Sequence, residues 1–185
     1  DYDGDSRADL AVYRAAEGNW YVFRSSNNSF QVTNFGISTD KPVPADYDGD
    51  GKMDFAIYRV GATTSEWGIL NSSNGASSLQ QFGNNGDIAV PADFDGDGRD
   101  QMAVFRPSNG TWFTSTNPAT NYGAIRFGAS GDIPATADFD GDGKSDAAIF
   151  RNGIWYVLNS GNQSVRAESW GIAGDIPIPS AFAAQ

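Results

Sequence analysis

The stretch Asp93-Phe-Asp-Gly-Asp-Gly-Arg-Asp-Gln101 decides how this chain is read. Versions of it return as Asp1-Tyr-Asp-Gly-Asp-Ser-Arg-Ala-Asp9, Asp46-Tyr-Asp-Gly-Asp-Gly-Lys-Met-Asp54 and Asp138-Phe-Asp-Gly-Asp-Gly-Lys-Ser-Asp146. Carboxylates at loop positions 1, 3 and 5, and at 9 in all but one loop, form an oxygen cage, and the glycines between them let the backbone turn tightly. Calcium takes about 6–8 oxygen ligands at ~2.3–2.6 Å, so a short, acidic, glycine-rich loop suits it better than magnesium. The metal-ligating candidates are Asp1, Asp3, Asp5 and Asp9; Asp46, Asp48, Asp50 and Asp54; Asp93, Asp95, Asp97 and Gln101; and Asp138, Asp140, Asp142 and Asp146. At position 7 stand Arg7, Lys52, Arg99 and Lys144, which would ligate through their backbone carbonyls while their cationic side chains point into solvent. About four calcium ions are expected, one per loop.

Composition agrees with loops of this kind. The 185 residues carry a formal charge of −11, and with four acids in each loop, sixteen of the 23 Asp and Glu lie inside the four loops, so the acidity belongs mostly to the proposed sites. Four calcium ions would leave a net charge of about −3. Metal-free loops should repel themselves, so metal should stabilise the fold by mass action. The chain has no cysteine and no histidine, which excludes disulfides, thiolate or imidazole metal sites and histidine-based nucleophile systems. No apolar run approaches the ~20 residues of a membrane helix, so insertion is not expected. An acidic chain with no basic patch also argues against nucleic acid. The chain starts on a ligand residue, Asp1, and reads as a mature or trimmed protein, which makes the missing signal peptide uninformative. Loops filled only by abundant calcium, in a chain free of cysteine, suggest a secreted or cell-surface protein, with a bacterial source favoured.

The loops start at Asp1, Asp46, Asp93 and Asp138, spaced by 45, 47 and 45 residues, a period that points to propeller blades or solenoid units. Thirteen residues after each start comes an arginine (Arg14, Arg59, Arg106, Arg151), then a tryptophan (Trp20, Trp67, Trp112, Trp155). Fifteen residues after each tryptophan stands an aromatic followed by glycine: Phe35-Gly36, Phe82-Gly83, Phe127-Gly128 and Trp170-Gly171. Only the arginine-to-tryptophan separation varies, as 6, 8, 6 and 4. These even steps preserve the faces of a hairpin, whereas a one-residue slip would invert a strand. Asn152-Gly153 is a two-residue hairpin signal, and no segment shows sustained helical periodicity. Each unit supplies four short strands; in the second they are placed at Pro42–Ala45, Phe55–Arg59, Glu66–Leu70 and Leu79–Phe82. The recurring Ala11, Ala56, Ala103 and Ala148 suggest tight packing.

The fold class expected is all-β, a β-propeller of four blades of about 46 residues. The chain reads as one domain over 1–185, with repeats 1–45, 46–92, 93–137 and 138–181. Asp175-Ile-Pro-Ile-Pro-Ser-Ala181-Phe182 matches Asp87-Ile-Ala-Val-Pro-Ala-Asp93-Phe94, so residues 175–182 are expected to complete the first blade and close the ring. The alternatives are half of an eight-bladed ring made by two chains, or part of a longer array.

The units resemble FG-GAP (VCBS-type) repeats, found in integrin alpha-chain propellers, a fungal propeller lectin and many secreted bacterial proteins. The acidic loops and the Phe-Gly pairs followed by the Asp-Ile-Pro-type strand carry the resemblance, which spans the whole chain. It implies a calcium-binding propeller with metal held between two strands of each blade; integrin propellers have seven longer blades, so blade number does not transfer. The loops are not EF-hands: position 12 holds Val12, Ile57, Val104 and Ile149 rather than a bidentate glutamate. The ninth residue must then close the cage, and Gln101 makes the third site the weakest unless Asp100 is used instead.

A calcium ion held wholly by protein oxygens has little Lewis-acid role, so structural metal is the leading reading. Trp20, Trp67, Trp112 and Trp155 are the ligand-binding candidates, because an indole face stacks on a sugar ring, although packing between sheets is the weightier reading. Trp170 reads as structural. The four arginines are expected to pair with Asp40, Asp87, Asp132 and Asp175 or to stack on aromatics. The functional expectation is a non-enzymatic recognition or adhesion module for glycans or cell-surface proteins, with homo-oligomer formation allowed. A structural or self-assembling module is second. A polysaccharide-directed enzyme is disfavoured, since no singular acid–base pair breaks the repeat and no catalytic residue stands out.

Overall fold

The computed structural model describes residues 1–117 and 121–179. Among the described residues it contains fifteen strands and no helix. The first sheet orders β1 (Leu10–Arg14), β2 (Asn19–Phe23) and β3 (Phe30–Asn34); the second orders β4 (Lys41–Pro42), β5 (Phe55–Arg59), β6 (Thr64–Leu70) and β7 (Ser77–Asn84). The third runs through β8 (Ile88–Ala89), β9 (Met102–Arg106), β10 (Thr111–Asn117) and β11 (Asn121–Arg126), and the fourth through β12 (Ile133–Ala137), β13 (Asp146–Arg151), β14 (Ile154–Leu158) and β15 (Val165–Ser169). Every pairing is antiparallel between chain neighbours, the sheet type of a β-propeller blade.

The variable turn works as the even spacing predicts. Tyr13 pairs with Trp20, Tyr58 with Trp67, Phe105 with Trp112 and Phe150 with Trp155. Insertions therefore lengthen the turn and leave the aromatic pair on one face. In the shortest turn Asn152 and Gly153 both take positive φ, 51° and 86°, as a two-residue hairpin with the twist of its strands requires.

The fifteen-residue interval has a hydrogen-bond cause. Each indole Nε1–H donates to the carbonyl fifteen residues on: Trp20 to Phe35 at 2.9 Å, Trp67 to Phe82 at 3.0 Å, Trp112 to Phe127 at 2.8 Å and Trp155 to Trp170 at 3.1 Å. Burying an indole without a partner for its N–H would be costly, and this bond supplies one. The glycine that follows sits at φ 122°, 94°, 137° and 117° in the four units, where a side chain is strained. At Gly128 a Cβ would also stand 3.1 Å from the Phe105 ring.

The chain separates into two compact units. The first comprises Asp1–Asn85 with Gly98–Asp100, and holds the first two sheets. The second comprises Gly86–Asp97 and the chain from Gln101 onward, and holds the other two. In the first unit, Trp20 and Val22 of β2 pack against Phe55 and Ile57 of β5, with Tyr13 and Ala11 behind them. In the second, Phe105 and Trp112 pack against Ala147 and Ile149 of β13. In each unit, then, the face that carries the paired aromatics of the earlier sheet meets the facing strand of the next.

Ala56, Ala103 and Ala148 are fully buried. Ion pairs on buried aspartates brace the second to fourth sheets: Arg59 on Asp40, Arg106 on Asp87 and Arg151 on Asp132, each through two nitrogens to two oxygens at 2.6–2.9 Å. The expected pairing is therefore found for three arginines, and it joins the first two strands of one sheet. Arg106 and Arg151 also lie over Phe113 and Tyr156.

The expected closing strand differs. Residues 175–179 form no strand, residues 180–182 lie outside the described residues, and the first sheet holds three strands. Asp175 accepts an N–H from Ile172, while Arg14 pairs with Glu17, so each half of the expected bridge has a local partner instead.

Replacing Gly128 with alanine should cost about 1–3 kcal/mol, because it forces a side chain into positive φ against Phe105. Removing the Arg106 guanidinium with alanine should cost about 1–3 kcal/mol by taking the charged partner from the buried Asp87 carboxylate. Denaturant titration at fixed calcium reads both.

Candidate metal centres

Each acidic loop folds around its first carboxylate. Asp1 accepts the N–H groups of Asp3, Gly4 and Ser6, and Asp46 those of Gly49, Asp50 and Gly51. Asp138 accepts Gly141 and Gly143, and Asp93 accepts Gly96. A loop with no strand partner thus satisfies its donors on its own side chain. The middle glycines make this curl affordable at φ 83°, 76°, 79° and 79° (Gly4, Gly49, Gly96, Gly141).

The ninth residue ties the loop to its sheet. Asp54 takes the Tyr47 N–H at 2.9 Å on one oxygen and the Ser72 N–H at 2.7 Å on the other. Asp9 does the same with Tyr2 and Ser25, and Asp146 with Phe139 and Ser160. Asp54 and Asp146 are wholly buried. Burial pushes the Asp54 carboxyl above the ordinary carboxylate range despite these two donors. At Asp9 burial also acts upward, but the Ser25 and Tyr2 donors outweigh it and the net shift is downward. Burial of Asp95, reinforced by Asp97, raises its carboxyl as well.

Carboxylate oxygens converge within 4.8 Å in four groups: Asp1, Asp3 and Asp5; Asp46, Asp48 and Asp50; Asp93, Asp95 and Asp97; and Asp138, Asp140 and Asp146. Oxygen-only donor sets of this charge suit a hard divalent cation. The fit has a specific mark at the first loop, where Asp3 Oδ1 is buried and unpartnered. The ninth carboxylate joins its group only in the fourth loop; elsewhere it organises the loop from behind.

The third loop departs, as its sequence suggests, but not by recruiting Asp100. That carboxylate accepts the N–H of Asp46 at 2.9 Å, and its own N–H donates to the Asp46 carbonyl. Gln101 holds the ninth position: its Oε1 accepts the Phe94 N–H, and its Nε2 donates to Asp95 at 3.0 Å. An amide donor aimed at a ligand carboxylate opposes a cation there.

Two further features lay beyond the sequence reading. Serines just past β2, β6 and β14 donate to loop acids: Ser25 to Asp5, Ser72 to Asp50 and Ser160 to Asp142, with Ser26 on Asp3 and Ser73 on Asp48. Their signal was a serine five residues after Trp20, Trp67 and Trp155. The cations at position 7 also differ from expectation. A Cβ on Gly4 would meet the Lys52 stem at 2.7 Å, one on Gly49 the Arg99 stem at 2.7 Å, and one on Gly96 the Lys144 stem at 3.0 Å. The stems of Lys52, Arg99 and Lys144 therefore lie across the glycine of the preceding loop, in room that only glycine leaves, with Lys52 and Lys144 half-buried and Arg99 exposed. Next to them, the N–H groups of Met53, Asp100 and Ser145 donate to the carbonyls of Asp1, Asp46 and Asp93.

Among the tryptophan candidates, Trp20, Trp67 and Trp112 are 0–2% exposed, in keeping with the packing reading, and Trp155 is half-buried; Trp20 and Trp112 pack against the neighbouring sheet. Trp170, expected to be structural, is exposed instead. The open concavities lie elsewhere. In the second unit a cleft of about 390 Å³ is lined by Phe94, Ile125 and Leu158 with Asp95, Lys144 and Ser160. In the first unit its counterpart, about 360 Å³, is lined by Tyr2, Thr33 and Leu70 with Asp3, Lys52 and Ser72. These positions correspond residue for residue, so each cleft sits between a metal loop and the cation of the loop that follows.

The description FG-GAP-like repeat matches residues 1–57 and 93–149, together more than half of the chain. No curated protein matches it.

Replacing Asp54 with asparagine should destabilise the metal-free protein by about 1–3 kcal/mol, since one buried N–H then faces an amide NH2. Unfolding in excess chelator separates this loss from any effect on metal.

Proposed function

Because the chain belongs to the FG-GAP-like repeat family, we propose that it is an extracellular, calcium-stabilised β-propeller module that recognises glycans. The repeats of this family typically occur in extracellular proteins and are typically non-enzymatic. No helix among the described residues is long and apolar enough to cross a membrane.

The repeated cleft beside the metal loops carries the recognition reading. Apolar walls of Phe94, Ile125 and Leu158 match the carbon face of a pyranose, and Asp95, Lys144 and Ser160 supply the few polar groups that orient a ligand. Two clefts at equivalent places but with different linings, such as Ile125 against Thr33, would give one chain two affinities for related sugars. Calcium supports the site indirectly. It would be held by the three converging carboxylates of each loop, and in the fourth by Asp146, fixing the loop edge that borders the cleft. The family's position 7 carbonyls, at Arg7, Lys52, Arg99 and Lys144, would complete the donor set. An enzymatic role finds little support, because five of the acids outside the loops are engaged in ion pairs: Asp40, Asp87 and Asp132 on Arg59, Arg106 and Arg151, Glu17 and Glu66 on Arg14 and Arg59.

Calcium at 100 times its Kd should stabilise the fold by about 2.7 kcal/mol per site, read as a melting shift that chelator reverses; an unchanged melting curve would end the calcium reading. Gln101→Asp should tighten the third site by replacing an amide donor with an anionic acceptor. Because desolvation raises the Asp95 carboxyl, protons compete with the cation, and calcium affinity at the third site should weaken as the pH is lowered toward the carboxylate range; calorimetry checks both expectations. On a glycan array the calcium-loaded protein should bind a defined sugar set, and Ile125→Arg should abolish that binding without changing the melting point. Binding that survives Ile125→Arg, or an array that stays blank, would sink the cleft as a glycan site.

A further inference from the structure

The two clefts beside the metal loops are equivalent in position but not in charge. In the first unit the strand register builds a polar row on the face that carries Trp20 and Val22. Alternation along the strand places Arg24, just past β2, on that face, and Gln31 and Thr33 of β3 stand opposite Val22 and Trp20. Arg24 Nη2 donates to Gln31 Oε1, and Gln31 Nε2 donates in turn to Thr33 Oγ1 at 3.0 Å. The backbone is fixed as well, since the Arg24 N–H reaches the Ser29 carbonyl and the Arg24 carbonyl accepts from Asn28. All three side chains line the cleft of about 360 Å³, together with Lys52. In the second unit Gly123 and Ile125 take the places of Gln31 and Thr33, threonine stands at the position of Arg24, and Lys144 is the only cation lining the cleft among the described residues.

Arg24 is a cation without a counter-ion. Among the described residues Gln31 supplies the only acceptor for its guanidinium. Its Nε is cut off from water and unpartnered, while Nη1, also without a protein acceptor, stays open to solvent. The side chain as a whole is half-buried. The arginines that recur in every unit differ, for Arg14, Arg59, Arg106 and Arg151 each hold a carboxylate. Asp3, the acid on the same cleft, takes the Ser26 hydroxyl and forms no ion pair with Arg24. A partly desolvated cation is costly until an anion meets it. The row fixes the head of Arg24 in advance, and Lys52 adds a second positive charge to the same wall.

We propose that the first-unit cleft selects an acidic saccharide, with Arg24 and Lys52 holding its oxyanion, a uronate carboxylate or a sulfate ester. A guanidinium meets such a group with directed, charge-assisted hydrogen bonds, and an ammonium adds a point charge beside it. Leu70 and Met53 give the same cleft an apolar wall for the sugar ring. The second-unit cleft, with Ile125 and Gly123 in place of the polar row, suits a neutral sugar. This ligand class rests on the glycan reading of the clefts and narrows it for one of them.

A glycan array holding neutral sugars, uronates, the methyl esters of those uronates and sulfate esters tests it on the calcium-loaded full chain. Uronates should bind about tenfold or more tighter than their methyl esters, because only the free acid offers a charged acceptor. Arg24→Gln should erase that advantage, and added salt should shrink it. Neutral sugars, whose binding Ile125→Arg removes, should be held equally by the wild type and by Arg24→Gln. If sulfate esters are bound in place of uronates and Arg24→Gln releases them, sulfate is the oxyanion and the site stands. Acids bound no better than their esters overturn the acidic ligand while the glycan reading survives on the neutral sugars. An acid advantage that persists in Arg24→Gln overturns it as well. An array blank for neutral and acidic sugars alike overturns both readings together.

Discussion

The structure depends on a carboxylate with no access to water. Asp54 and Asp146 each accept two backbone N–H groups, one from the second residue of the acidic loop and one from the turn beyond the third strand of the sheet. A charged-group hydrogen bond of this kind contributes more than a neutral one, and losing either partner leaves a desolvated group behind. Through it the loop, the hairpin turn and the strand that begins beside the ninth residue are held in one geometry. The first, third and fifth carboxylates owe their convergence to that frame.

The same arrangement sets an electrostatic conflict that the loops have to resolve. Three anionic groups within 4.8 Å repel one another unless a cation, a proton or nearby donors intervene. The structure supplies donors in layers: loop amides on the first aspartate, serine hydroxyls on the third and fifth, and a cationic stem from the next loop across the central glycine. None of these saturates the set, as the unpartnered Asp3 Oδ1 shows. A bound cation, as proposed, would neutralise it and would couple the charge state of a loop to the rigidity of the edge beside each cleft.

Much of this was legible because it is written in spacing. The Asp-x-Asp-Gly-Asp pattern located the carboxylate groups, the even steps between arginine and tryptophan located the hairpins, and the Asp–Arg interval foretold three buried pairs. The fifteen-residue interval from tryptophan to aromatic was visible without its cause, an indole N–H reaching a carbonyl. Other contacts had no local signature. Lys52 follows the glycines of its own loop, yet it lies on Gly4 some fifty residues earlier. Asp100 sits one place from the ligand position of its own loop, yet binds the backbone of Asp46.

By itself the sequence determined the all-β repeat, the four acidic loops and the register of each hairpin. A period-two strand leaves no freedom once its turn length is even, and oxygen ligands must recur at fixed steps to converge. Only the tertiary structure decided which residues the repeats hide from water and which they leave open. Trp112 and Trp170 are the same residue type, yet one is sealed beneath a neighbouring sheet and the other stands exposed. Burial depends on which sheet covers a face, and that is a property of the assembled sheets, not of the residue.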